Sequence, residues 1–207
     1  MHLLGLDLAV VATAFLPLLL LELPDKTFIA TLVLSTRYRP LTAWLGVGLA
    51  FGVQCLIAVT AGGLLARLPE LPVALAAALL FAVGGVLLWR GAAAADEEEA
   101  ETEEEIAAKV TGGGRGLRAV VACFLVIFVA EWGDLSQLFT AGLAARYDDP
   151  VSVFVGAWAA LLVVAGLGAL LGKALLARLR LSTVRRAGAV VCAVLVVVTL
   201  VEAVRLA

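Results

Sequence analysis

Apolar residues gather in six long stretches along the chain, at roughly 8–35, 41–66, 71–89, 118–145, 151–172 and 184–204. Each is near or above the ~20 residues that a helix needs to cross a bilayer. Backbone polar groups in lipid must be satisfied within each segment, so helices are expected rather than irregular structure or open sheet. The connections are short, apart from the one at about 90–117. That segment carries the acidic run from Asp96 to Glu105 and then Gly112-Gly113-Gly114. The pattern predicts an all-α integral membrane protein: a first three-helix unit at 1–90, a solvated acidic linker at 91–117 and a second three-helix unit at 118–207.

The two units repeat each other. At an offset of 109, Phe15-Leu16 matches Phe124-Leu125, Glu22 matches Glu131, Asp25 matches Asp134, Thr31 matches Thr140, and Arg37-Tyr38 matches Arg146-Tyr147. One inserted residue then aligns Gly46 with Gly156, and one more aligns Leu64-Leu65-Ala66-Arg67-Leu68 with Leu175-Leu176-Ala177-Arg178-Leu179. Three helices per unit is an odd number, so the second unit enters the membrane from the opposite side. The expectation is six transmembrane helices as two inverted three-helix repeats. Basic residues agree. One face holds Arg37, Arg39, Arg90, Lys109, Arg115, Arg118, Lys173, Arg178, Arg180, Arg185 and Arg186; the other holds only Arg67, Arg146 and Arg205. The positive-inside rule then puts both termini outside and the acidic linker in the cytoplasm.

Composition sharpens this picture. The 207-residue chain is 63% hydrophobic with a mean hydropathy of +1.10, against about 45–50% apolar for a soluble domain. The formal net charge of −2 hides a segregation, since 8 of the 17 acids lie between Asp96 and Glu105. Nothing in it suggests a nucleic-acid partner. The first apolar run continues through Glu22 without a basic leader or small-residue cleavage site, so it is expected to be the first membrane helix. Cys55, Cys123 and Cys192 have no paired spacing and are expected to pack as small hydrophobes. The sole histidine, His2, is terminal, and no zinc or haem pattern is present. Arginine outnumbers lysine and Ala, Gly and Val abound, which fits a GC-rich bacterial genome and hence a bacterial inner membrane.

Two acidic motifs interrupt these apolar runs: Glu22-Leu23-Pro24-Asp25-Lys26-Thr27 and Glu131-Trp132-Gly133-Asp134-Leu135-Ser136. An intramembrane ionisable group costs about 3 kcal/mol or more and is rare without a function. The i, i+3 spacing predicts that each Glu and Asp share one face of a helix. Inverted symmetry would bring Glu22, Asp25, Glu131 and Asp134 together near the midplane. With the hydroxyls of Thr27 and Ser136 and the amide oxygens of Gln54 and Gln137, they would form an all-oxygen cage suited to a hard divalent cation such as Ca²⁺, Mn²⁺ or Mg²⁺. Without a cation, four close carboxylates in low dielectric repel one another, so some are expected to hold protons near neutral pH. A divalent ion would displace those protons, with Lys26 balancing charge. Pro24 and Gly133 are positioned to loosen the helix and expose a carbonyl oxygen. A buried salt bridge of Glu22, Asp25 and Lys26 is the alternative for the first motif; Leu135 offers no such counter-charge in the second. Trp44, Trp132 and Trp158 are expected to pack or lie at the interface.

The doubled motif Glu-x-Gly-Asp-(Lys/Arg)-(Thr/Ser) in a six-helix chain resembles the GDT family of cation/proton exchangers, with Pro24 in place of the first glycine and Leu135 in place of the second basic residue. That family includes Golgi calcium/manganese, chloroplast manganese/calcium and bacterial manganese transporters. The resemblance covers essentially the whole chain outside the linker. It implies a secondary transporter, not an enzyme, with no permanent cofactor. Mn²⁺ or Ca²⁺ would be its substrate, exchanged for protons, and export the direction expected in a bacterium. Beyond cation, protons and lipid no partner is implied, and a homo-oligomer is compatible with the sequence. An exporter of small organic solutes and a non-transporting assembly scaffold are the competing readings; four acids suit the first poorly, and the second predicts indifference to neutralising Glu22 or Asp134.

Overall fold

The apolar runs fold as helices, and two of them fold as helix pairs. The computed structural model describes residues 2–3, 6–23, 26–65, 67, 69–91, 116–176 and 181–206. The acidic run 96–105 therefore lies outside the described residues, as do Pro24 and Asp25. Two short antiparallel strands, β1 (His2–Leu3) and β2 (Leu6–Asp7), precede the first helix. The helices are α1 (Leu8–Glu22), α2 (Lys26–Arg37), α3 (Pro40–Leu65), α4 (Glu70–Gly91), α5 (Leu117–Ala130), α6 (Leu135–Tyr147), α7 (Pro150–Leu176) and α8 (Leu181–Leu206). Asp7 caps α1 by accepting from the Ala9 N–H at 2.9 Å, and the Asp7 N–H donates to Ser152 Oγ near the start of α7 at 2.9 Å.

The chain is an all-α membrane protein. Helices α3 and α7 are each long and apolar enough to cross a bilayer. The pairs α1–α2 and α5–α6 meet the same test only when each is taken as one span bent by 69° and 77° respectively. Among the described residues that makes up to four spans, with shorter apolar cores at 78–91 in α4 and 192–201 in α8.

Helices in lipid associate through close van der Waals packing, so small residues decide where backbones approach. At Gly46 on α3 a Cβ would collide with the Val120 carbonyl and Cys123 Cβ on α5. At Gly156 on α7 it would collide with the Val11 carbonyl and Ala14 Cβ on α1. These four partners are themselves equivalent at the 109-residue offset. Helices α3 and α7 cross antiparallel: Trp44 Nε1 donates to the Leu162 carbonyl at 2.9 Å and Trp158 Nε1 to the Gly48 carbonyl at 2.8 Å. Gly48 faces Leu162 while Gly52 faces Trp158, so the contact reads the same when the helices are exchanged. Helix α4 packs against α8, and the second half-span α6 lies against α3 and α4.

Candidate functional site

Both acidic motifs fall where two helices of a bent pair meet, and in the second motif this corrects the expected helix-face geometry. In the second motif α5 stops at Ala130; Glu131 is its C-cap, and the Glu131 N–H bonds to the Ile127 carbonyl at 2.9 Å. Gly133 then takes φ +75°, a left-handed conformation open to glycine without steric cost. Asp134 is extended, at φ −68° and ψ 164°, and is the N-cap of α6. Glu131 and Asp134 thus bracket a sharp turn rather than sharing a helical face. Gln137 braces that turn: its Nε2 donates to the Glu131 carbonyl at 3.2 Å, and its Oε1 accepts from the Gly133 N–H at 3.2 Å. The Gln137 amide expected to face a cation is therefore engaged with the turn backbone.

In the first motif Glu22 is the last residue of α1 and only 1% exposed, close to the 3% of Glu131. Lys26 opens α2, and Thr27 behind it is fully buried. Thr27 Oγ1 has no hydrogen-bond partner among the described residues. Thr31 Oγ1 donates to the Thr27 carbonyl at 2.8 Å, and Thr140 Oγ1 to the Ser136 carbonyl at 2.7 Å. The two breaks therefore carry the same hydroxyl pairing one helical turn downstream. The lone pairs of the Thr27 and Ser136 side chains are not consumed by these bonds.

The halves meet at α3. Gln54 Nε2 donates to the Phe128 carbonyl in the last turn of α5 at 3.2 Å. Gln54, Cys55, Ser136, Gln137, Thr140 and Leu161 line a cavity of about 10 Å³, room for roughly one water-sized occupant. Glu22 lies within electrostatic reach of Cys55, which lines that cavity. The structure thus brings Gln54, Ser136 and Gln137 together with Glu22 nearby. Among the described residues no three His, Cys, Asp or Glu side chains gather closely enough to hold a metal ion. Asp25 is not among those residues, nor is the Lys26 side chain.

The ends of α1 and α5 add to the chemistry. Each helix carries the negative end of its dipole there, so a cation is favoured before any side chain is counted. Broken helices of this kind supply backbone oxygens to cations in many transporters. Thr31, Thr140 and Cys55 were not anticipated as site residues. The four-residue spacing from Thr27 to Thr31, repeated from Ser136 to Thr140, was the available signal.

Leu135 points elsewhere. Its methyl groups sit 3.1 Å from where a Cβ on Gly84 would lie, and it lines a narrow void with Phe81, Phe139 and Cys192. The position without a basic residue is packed against α4. Trp44 and Trp158 act as packing residues, and Trp132 is 59% exposed. Cys55, Cys123 and Cys192 are buried free thiols.

A family model described as divalent cation/proton antiporter GDT1 matches residues 10–96 and 119–207. A GDT1-like protein of Synechocystis is 33% identical over 190 residues, covering 85% of this chain and 91% of the relative. The chloroplast protein PAM71 of Arabidopsis thaliana is 33% identical over 185 residues, 78% of this chain, and GDT1-like protein 1 of Oryza sativa subsp. indica is 33% identical over 184 residues, 80% of this chain. The chain spans about half the length of these chloroplast relatives, 50% and 53%. No solved structure matches it. Both matched blocks include a helix break with its buried glutamate, and the chain belongs to the GDT1 family of divalent cation/proton antiporters, transporters rather than enzymes.

Proposed function

We propose that this chain exchanges Mn²⁺ or Ca²⁺ for protons across a bacterial inner membrane, working as an exporter. Glu22, Asp25, Glu131 and Asp134 would be its cation ligands and proton carriers. The observation that carries the reading is the pair of buried glutamates, Glu22 and Glu131, each at the C-terminal end of the first helix of a broken span, where the break falls. Carboxylate, hydroxyl and carbonyl oxygens suit hard cations, and neither motif offers a soft ligand. Thr27 and Ser136 add hydroxyls, while Gln54 holds the end of α5 and Gln137 the turn that presents Glu131.

Charge balance motivates the coupling. Four carboxylates give −4 and Lys26 gives +1, so a divalent ion takes the site from −3 to −1. Protons on the same oxygens neutralise it when the ion leaves, and competition for one ligand set produces exchange. The reciprocal packing of Gly46 and Gly156 supports two inverted three-helix halves, 1–90 and 118–207, with α1–α2 and α5–α6 as broken first spans. Six spans then put both termini outside and the linker 91–117 in the cytoplasm. Family membership favours exchange over the organic-solute and scaffold readings.

The test is uptake by proteoliposomes across Mn²⁺, Ca²⁺ and Mg²⁺ with an imposed pH gradient. Uptake of Mn²⁺ or Ca²⁺ that follows the gradient and collapses with a protonophore is expected. Uptake indifferent to the gradient would overturn the coupling.

A further inference from the structure

Away from the breaks, a groove of about 540 Å³ lies between α4 and α8. That volume is within the roughly 300–1,000 Å³ of small-ligand sites. Its walls are apolar, formed by residues such as Phe81, Gly85, Trp89, Ala189, Ala193 and Val197. Gly85 lets the two helices touch at its floor, because a Cβ there would stand only 3.2 Å from Cys192 Cβ. One end is charged: Arg90 lines the groove, and Arg186 stands one turn before Ala189 on α8. Both arginines are exposed, and both lie on the side of the chain where the sequence concentrates its basic residues. Trp89, 58% exposed, is beside Arg90, and exposed tryptophans favour the headgroup level of a bilayer.

We propose that this groove is a site for one anionic phospholipid, with an acyl chain along its apolar wall and the phosphate on Arg90 and Arg186. Charge complementarity commits the site to an anionic headgroup: guanidinium groups bind phosphate with paired donors, and basic pockets between membrane helices recognise anionic lipid heads. The apolar length of the groove requires a chain, which a free phosphate lacks. The site is separate from the acidic breaks, and the proposal does not depend on the transported ion.

Native mass spectrometry of the full-length protein in mild detergent tests it, with dioleoylphosphatidylglycerol and dioleoylphosphatidylcholine offered in equal amounts. The wild type should retain one phosphatidylglycerol at least tenfold over phosphatidylcholine. The double variant Arg90→Gln/Arg186→Gln should lose that preference, while Ala193→Phe, which fills the groove, should lower retention of both lipids. Equal retention of the two lipids by the wild type would overturn the proposal without recourse to any variant. So would a double variant that keeps the preference, or a lipid-free dimer that Ala193→Phe turns into a monomer, which would make a second copy the occupant.

Discussion

The Gln54 side chain donates to the Phe128 carbonyl at 3.2 Å, three residues before Glu131. In an unbroken helix that carbonyl would accept from the Trp132 N–H. Here the Trp132 N–H turns to the Val129 carbonyl at 3.5 Å, and Gln54 takes the acceptor released by the break. A side chain of the first half thus stabilises the end of a helix in the second. Gln54→Leu leaves that part-buried carbonyl without its donor, at a cost of about 1–3 kcal/mol. Thermal unfolding in detergent should fall accordingly. Initial exchange rates in proteoliposomes should drop by roughly tenfold if about 1.4 kcal/mol of that loss falls on the transporting conformation.

Gly46 and Gly156 each admit a neighbouring backbone that a Cβ would block. Gly46→Val and Gly156→Val should each destabilise the protein by about 1–3 kcal/mol, the usual range for overpacking. Similar losses are expected because their partners correspond at the repeat offset. Gly63 on α3 has open space where its Cβ would be. Gly63→Ala should therefore be neutral or stabilising by up to about 1 kcal/mol. Melting temperatures of the three variants check the set; a harmless Gly156→Val beside a damaging Gly46→Val would break the correspondence.

Much of this was legible in the sequence because lipid imposes a simple code. Runs of apolar residues marked helices at 40–65 and 150–176, and the repeat, with its one inserted residue, predicted that Gly46 and Gly156 would correspond. The breaks were less legible. Glu22 and Asp25, like Glu131 and Asp134, have spacing that fits a helical face, and only Pro24 and Gly133 hinted otherwise. The positive φ of Gly133 redirects the chain and separates the second pair onto two helix ends. The side-chain engagement of Gln137 and the direction of Leu135 depend on packing between distant segments, which periodicity does not encode.

Leu135→Lys would place an ammonium against Gly84, Phe81 and Phe139. Although the motif would then carry a basic residue, the protein should lose stability, by about 2–3 kcal/mol for a lysine held in an apolar setting. Leu135→Met keeps volume and should stay within about 1.5 kcal/mol of the wild type. Unfolding midpoints of both variants in detergent provide the comparison, and equal midpoints would show that the packing against α4 is unimportant.

Competition between protons and cation for one ligand set gives a pH dependence. Raising pH on the side from which the cation binds removes the competitor, so apparent KM for the cation should fall as pH rises. The trend should be measured with the transmembrane pH difference held constant. A KM that does not change with pH would argue for separate proton and cation sites.

The most direct measurement is cation-dependent proton movement in proteoliposomes carrying Glu22→Gln or Glu131→Gln, each first verified as folded by its melting temperature. Either single substitution should abolish the Mn²⁺- or Ca²⁺-driven proton signal, because each half contributes one buried glutamate to a shared site. Wild-type flux in a folded Glu22→Gln or Glu131→Gln protein would rule that shared site out.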